Sequence, residues 1–458
     1  MQPRKALLMG LTSTLVLGSL YLPGQKTSAN EDVNTRVENF QAQVTPVIDQ
    51  EVMKVFKTNR TVNNGTKELQ IEVPDYAALN DQATFYIDNE NEQVVFLVSN
   101  DNLKEIKELK KELSDKLGTK IKFKEAKHAF KDLASINDAV FRQLKDKQNV
   151  STGINTANEV INIRADLSTE EKDQLVNTYG DVFNFMPAEP LVNPQYAVDY
   201  PFKTLSAGIK ILPDTSATEK SSPSSGTYKT TSYCTSGLMG TKSSQAFMVT
   251  AGHCVLFPHS NASTTGGSGY ADGGLDSNSN GKLDSNEYNW IGWQHYSQAL
   301  QDGKDKDIGL IKLTNTSLAL NAQWYSHAQA DTVSKIKAYA TPQVGTQIAK
   351  VGATTGFKIG TIAEVNYNYN MRLYTDFTTS NNVIVSVTGG IRVSGTDFST
   401  VGDSGGIVFR TTDNAAIGLI SGGSGSTYAC AAFYNTLPTL GIAQYVYDYD
   451  TPLSNLQG

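Results

Sequence analysis

At 458 residues the chain exceeds one ordinary domain, so two or more folded units are expected. Its formal charge is −7, from 39 Lys and Arg against 46 Asp and Glu, and no basic cluster stands out, which argues against a phosphate-binding surface for nucleic acid. Three cysteines are too few for a disulfide lattice; the simplest arithmetic is one pair and one leftover thiol.

The first element is a targeting segment. Arg4 and Lys5 precede an apolar run from Ala6 to about Leu22, and Thr27-Ser28-Ala29 offers small residues before Asn30. This is the pattern of a secretory signal over 1–29, cut after Ala29. The run is shorter than a spanning helix needs, and no later stretch is apolar and long enough, so an exported product without a membrane segment is expected.

From 30 to about 203 the chain is rich in Glu, Lys and Asp, as suits an α+β region. Thr84–Ile87 and Gln93–Val98 read as a hairpin around Asp88–Glu92. Leu103, Ile106, Leu109, Leu113 and Leu117 then recur at helical spacing, with Gly118 as a stop and the strand-like Lys120–Phe123 after it. A helix over Asp132–Leu144 follows. The unit returns at Thr152–Ile154, a turn at Asn155–Asn158 and Glu159–Ile163. Ser168 and Glu171 open its helix with a capping box, and Asp181–Phe185 closes it. The two hairpin–helix–strand units span about 84–126 and 150–187. No nucleophile–base pair occurs in this half, whose lone histidine is His128, so it is expected to be non-catalytic.

From 204 to 458 charges thin out and Gly, Ser, Thr, Tyr and Asn dominate, which suits short strands joined by turns. Three strings carry chemistry here: Val249-Thr-Ala-Gly-His253-Cys254, Asp305-Lys-Asp307 before an apolar strand, and Gly402-Asp403-Ser404-Gly-Gly406. A serine hydroxyl needs a base within hydrogen-bond reach, and a histidine titrating near 6.5 serves. The imidazole in turn needs a buried carboxylate to fix its tautomer and stabilise its cation. Glycines beside the serine let backbone N–H groups, expected at Gly402 and Ser404, face a developing oxyanion.

These motifs resemble the chymotrypsin-type serine proteases, strongly from about Leu205 to Tyr447, and most of all the bacterial streptogrisin and α-lytic protease branch with its N-terminal pro-region. The resemblance implies an all-β, trypsin-like catalytic domain of two perpendicular six-stranded β-barrels, with the triad between them. It implies His253 as general base and acid, Asp307 as its orienting carboxylate and Ser404 as nucleophile. It also implies a Cys234–Cys254 bridge, and a pro-region that aids folding before removal. The chain departs from many relatives in having Thr400 where they carry a cysteine, which leaves Cys430 as a free buried thiol or an intermolecular bridge. Ser421, Gly422 and Gly423 match the substrate-pairing strand, where the glycines would leave room for a sizeable side chain. Phe398 and Val401 would line a pocket favouring a large apolar residue, unless Asp397 points inward and selects Lys or Arg.

Asp276, Asn278, Asn280, Lys282 (through its carbonyl), Asp284 and Glu287 have the ligand spacing of a twelve-residue Ca²⁺ loop, with Gly281 at its turn. The alternative is a polar surface insertion. The expectation is therefore a monomeric, secreted serine endopeptidase made as a zymogen. It would act on protein or peptide substrates, need no cofactor for catalysis, and hold structural Ca²⁺ in that loop. An esterase using the same triad and a catalytically dead adhesive protein are the alternatives.

Overall fold

The computed structural model describes residues 29–147, 149–189, 204–213, 233–255, 269–272, 289–297, 306–324, 334–374, 382–424, 427–447, 451–452 and 455–456. No helix among them is long and apolar enough to cross a membrane.

The N-terminal region opens with a helix, Ala29–Val55, which the motif reading did not anticipate. Its Val37, Phe40, Val44, Ile48 and Val52 recur every three or four residues and are buried. All but Val37 join the apolar core over a three-stranded sheet of Ala83–Asp88, Gln93–Val98 and Ile121–Glu125. The helix Lys104–Leu117 packs on the same core through Ile106, Leu109, Leu113 and Leu117. It ends at Gly118, whose φ of 54° falls where glycine carries no Cβ penalty. The second unit repeats the order. Ser151–Asn155 and Val160–Arg164 form an antiparallel pair, and the helix Thr169–Tyr179 starts at a Ser168–Glu171 capping box. Phe183–Met186 then pairs in parallel with Val160–Arg164. A further unanticipated hairpin joins Lys57–Asn63 to Glu68–Pro74.

Among the described residues, the regular structure of the C-terminal region is mostly strand. Gln347–Gly352, Ile407–Arg410, Ala416–Ser424, Thr427–Ala432, Asn382–Ser394 and Gly356–Tyr374 pair in that order, and the last pairs back onto the first, closing a six-stranded ring. A second sheet is built from Cys234–Thr235, Lys210–Pro213, Gly269–Asp272, Asn289–Ser297, Gly309–Leu313, Gln245–Thr250, Leu238–Lys242 and Ala443–Tyr445.

The N-terminal region extends both of these sheets. Ser151–Asn155 lies antiparallel to Gly356–Tyr374, with Ile154 opposite Val365 and Ser151 opposite Tyr369. Lys57–Asn63 runs parallel to Ala443–Tyr445. One apolar cluster holds Val140, Phe141, Ile154 and Ile161 together with Ile348, Ile362, Val393 and Ile420. Apolar burial is worth about 25 cal/mol per Å², so a shared core binds the two regions far more firmly than surface contacts.

A charged network is buried where they meet. Glu364, 2% exposed, accepts from Asn162 Nδ2 and Arg164 Nη1, each at 2.9 Å, and also from Arg164 Nη2. Glu189 accepts from Arg392 at 3.0 Å and approaches Arg164 to 3.2 Å. Breaking one partner of a buried pair typically costs about 3–5 kcal/mol, because the other charge stays desolvated. Arg164→Met should therefore lower the urea midpoint of the full-length chain by an amount of that order, and adding Glu364→Gln should recover part of the loss.

Candidate active site

His253 lies in a short 3₁₀ turn, Gly252–Val255, directly after the strand Gln245–Thr250. Asp307 precedes the strand Gly309–Leu313, which pairs with that same strand; the pairing of Thr250 with Gly309 brings acid and base together. Asp307 is fully buried. Its Oδ1 accepts the His253 backbone N–H at 2.9 Å, and its Oδ2 lies 2.9 Å from His253 Nδ1. A carboxylate only accepts, so the ring proton of this contact sits on Nδ1, leaving Nε2 as the basic nitrogen. That Nε2 is buried and has no hydrogen-bond partner among the described residues.

Ser404 sits in the turn before Ile407–Arg410 and is 1% exposed. Its hydroxyl donates to the Ser421 carbonyl at 3.4 Å, not to His253. The acid–base limb of the expected triad is thus made in this state, and the base–nucleophile limb is not. Its backbone is tightly held: the Thr235 N–H donates to the Ser404 carbonyl at 2.7 Å, and the Gly405 N–H donates to the Ile420 carbonyl at 2.8 Å. A Cβ on Gly405 would lie 2.0 Å from Thr250 Oγ1, and its φ is 83°, so only glycine fits after the serine.

Asp403 reveals a residue that motif reasoning missed. Its carboxylate is fully buried against Lys350 Nζ at 2.7 Å, and Lys350 is itself fully buried. It also accepts from the N–H groups of Thr354, Thr355 and Thr400 at 2.9, 3.1 and 3.0 Å, and from Thr355 Oγ1 at 2.6 Å. Burial alone would raise the carboxyl; the Lys350 charge and these donors outweigh it and hold it below the usual carboxylate range. The only sequence signal was a lysine inside the apolar strand Gln347–Gly352, every residue of which is buried.

The expected pocket residues separate. Ser421 is buried on the strand Ala416–Ser424, which bulges between Ile420 and Gly422. Val401 is 40% exposed, whereas Phe398 has no exposed surface and packs on Tyr428 with ring centres 5.6 Å apart. A Cβ on Gly423 would lie 2.5 Å from the ring of Tyr428, its cross-strand partner. Asp397 is exposed at a positive φ of 50° and does not point inward.

Cys234 and Cys254 are bridged across 20 residues, which loop-closure entropy values at roughly 3 kcal/mol. Among the described residues the Cys and His side chains close enough to share a metal ion are Cys234, His253 and Cys254, and the bridge removes both thiolates as ligands. Cys430 is free and buried, and its desolvated thiol titrates well above the usual range. The Asp276–Glu287 loop lies outside the described residues.

The family model described as Trypsin matches residues 212–440, half of the chain. The chain belongs to the trypsin family. Family membership makes the C-terminal region a trypsin-like serine protease domain, whose substrates are proteins. No curated protein matches the chain. Solved structures similar to it include a Nocardiopsis protease, at 20% identity over 53% of this chain and 99% of that one, TM-score 0.35. A glutamic acid specific serine protease matches at 20% identity over 53% and 100%, TM-score 0.35. An alpha-lytic protease homologue, N4, matches at 18% identity over 52% and 98%, TM-score 0.35.

Two measurements test the Lys350–Asp403 pair of this trypsin-family domain. Lys350→Met should cost about 3–5 kcal/mol of stability at neutral pH, read from denaturant midpoints. The depressed Asp403 contributes stability that is complete above its unfolded value of about 3.9 and lost as pH falls through its lower folded value. The gap between wild type and variant should therefore narrow below about pH 4.

Proposed function

We propose that this chain is a secreted serine endopeptidase made as a zymogen, in which His253, Asp307 and Ser404 cleave peptide bonds through an acyl-enzyme. The observation that carries the reading is the fully buried Asp307 accepting both the backbone N–H and the Nδ1–H of His253. That contact presents an unpartnered Nε2 in the same domain as a Gly-Asp-Ser-Gly-Gly turn. Rotation of the Ser404 hydroxyl away from the Ser421 carbonyl, a weak contact at 3.4 Å, is the step that would complete the relay. Nε2 then takes the hydroxyl proton as Oγ attacks the substrate carbonyl carbon. The resulting oxyanion is received by the Gly402 and Ser404 N–H groups. The imidazolium, steadied by Asp307, next returns the proton to the leaving amine, and water repeats the sequence on the ester.

Residues 1–29 are proposed as the export signal and 30–203 as the pro-region. The shared core and shared sheets favour a segment that folds with the protease domain over an independent module. With Tyr428 beside Gly423, the pocket is proposed to prefer smaller apolar residues than the glycines alone suggested. The Asp276–Glu287 loop is proposed to bind Ca²⁺ and protect its own chain segment.

A fluorophosphonate should label Ser404 of the wild type, and Ser404→Ala should abolish labelling and lower peptide hydrolysis by about 10⁶-fold. That variant should accumulate as the uncut precursor. Absence of labelling in a folded wild type points instead to a dead binding protein, and hydrolysis of small esters without peptides points to an esterase. Chelation should lower the thermal midpoint while leaving kcat unchanged; an unmoved midpoint removes the calcium assignment.

A further inference from the structure

The turn at residues 353–355 grips the nucleophile segment at more points than a buried ion pair requires. Thr354 Oγ1 donates to the Val401 carbonyl. Its own N–H donates to Asp403 Oδ1 at 2.9 Å, so the donor is anchored to the carboxylate that Lys350 neutralises. On the other side of the same glycine, Thr235 Oγ1 donates to the Gly402 carbonyl at 2.6 Å and accepts the Ala353 N–H at 2.9 Å.

A trans peptide is planar, with its carbonyl and N–H pointing in opposite directions. Holding the Val401 carbonyl on one side therefore aims the Gly402 N–H to the other. Gly402 is buried at a φ of 98°, and its N–H makes no hydrogen bond among the described residues. Buried N–H groups are seldom left unpaired without a ligand to receive. Glycine has no Cβ to resist rotation of this peptide, so the orientation depends on its partners.

We propose that Thr354 is a positioning residue for the oxyanion hole, its hydroxyl locking the 401–402 peptide with the Gly402 N–H facing the substrate oxyanion. The proposal rests on the hydrolase reading above. Thr354 touches no reacting atom. It acts by removing an alternative orientation in which a carbonyl oxygen would confront the developing negative charge.

The test uses the full-length chain as wild type, Thr354→Val, Thr354→Ala and Thr354→Ser, compared at equal melting temperature. Thr354 is exposed, so losing its hydroxyl opens no cavity. Peptide hydrolysis gives kcat and KM. Inhibition by a peptidyl aldehyde, whose adduct carries the oxyanion, is set beside the matching peptidyl alcohol, which has no carbonyl. Val and Ala should lower kcat by about tenfold or more with KM within about twofold, a smaller loss than deleting an oxyanion donor outright. Aldehyde affinity should fall by the same factor, alcohol affinity should hold, and Ser should restore both. An unchanged kcat in Val and Ala, equal weakening of aldehyde and alcohol, or a Ser variant no better than Val overturns the proposal alone. A wild type that neither hydrolyses peptides nor takes the fluorophosphonate sinks the hydrolase reading and this proposal with it.

Discussion

The site hangs on a cation and an anion whose side chains are both fully buried. Asp403 precedes Ser404 in the chain, and its carboxylate is fully buried. Such a charge is tolerable only with an opposite charge and hydrogen bonds to every lone pair. Lys350 supplies the first, and the residues of two turns, at 354–355 and at Thr400, supply the second. Because these donors belong to different strand connections, satisfying one carboxylate fixes the mutual placement of the strand Gln347–Gly352 and the segment leading to Ser404. The glycines around it then have little freedom left.

A second constraint acts between regions. The N-terminal segment adds strands to two sheets of the C-terminal region and contributes to one apolar cluster with it. Its Arg164 and Asn162 occupy the oxygens of Glu364, a residue of the protease domain. The two regions therefore satisfy each other's buried polar groups as well as their apolar ones.

The chemistry-bearing strings were legible because they are short and local. The strings around His253 and Asp307 stood out by their neighbours, and the structure brings these two side chains into contact; the capping box at Ser168 and the stop at Gly118 follow from single-turn rules. What escaped depends on distant pairing. Nothing near Lys350 announces Asp403, 53 residues away, and nothing near Ser151 announces a strand beginning at Gly356. The helix Ala29–Val55 carries a regular apolar stripe, but Pro46 inside it is a helix-breaking signal when read locally. The surroundings of Gly423 were hidden for a related reason. A glycine shows that something comes close, and here the close neighbour is Tyr428 of the same chain rather than a ligand.

The cross-region strand pairing has a kinetic corollary. A cut between 189 and 204 leaves in place the two ladders that join the regions among the described residues, so the pieces stay associated after it. Separation then requires peeling Ser151–Asn155 from Gly356–Tyr374 and Lys57–Asn63 from Ala443–Tyr445, and opening the apolar seam beneath. Scission and departure of such a piece would thus be distinct events, the second requiring the paired strands and the shared apolar cluster to part.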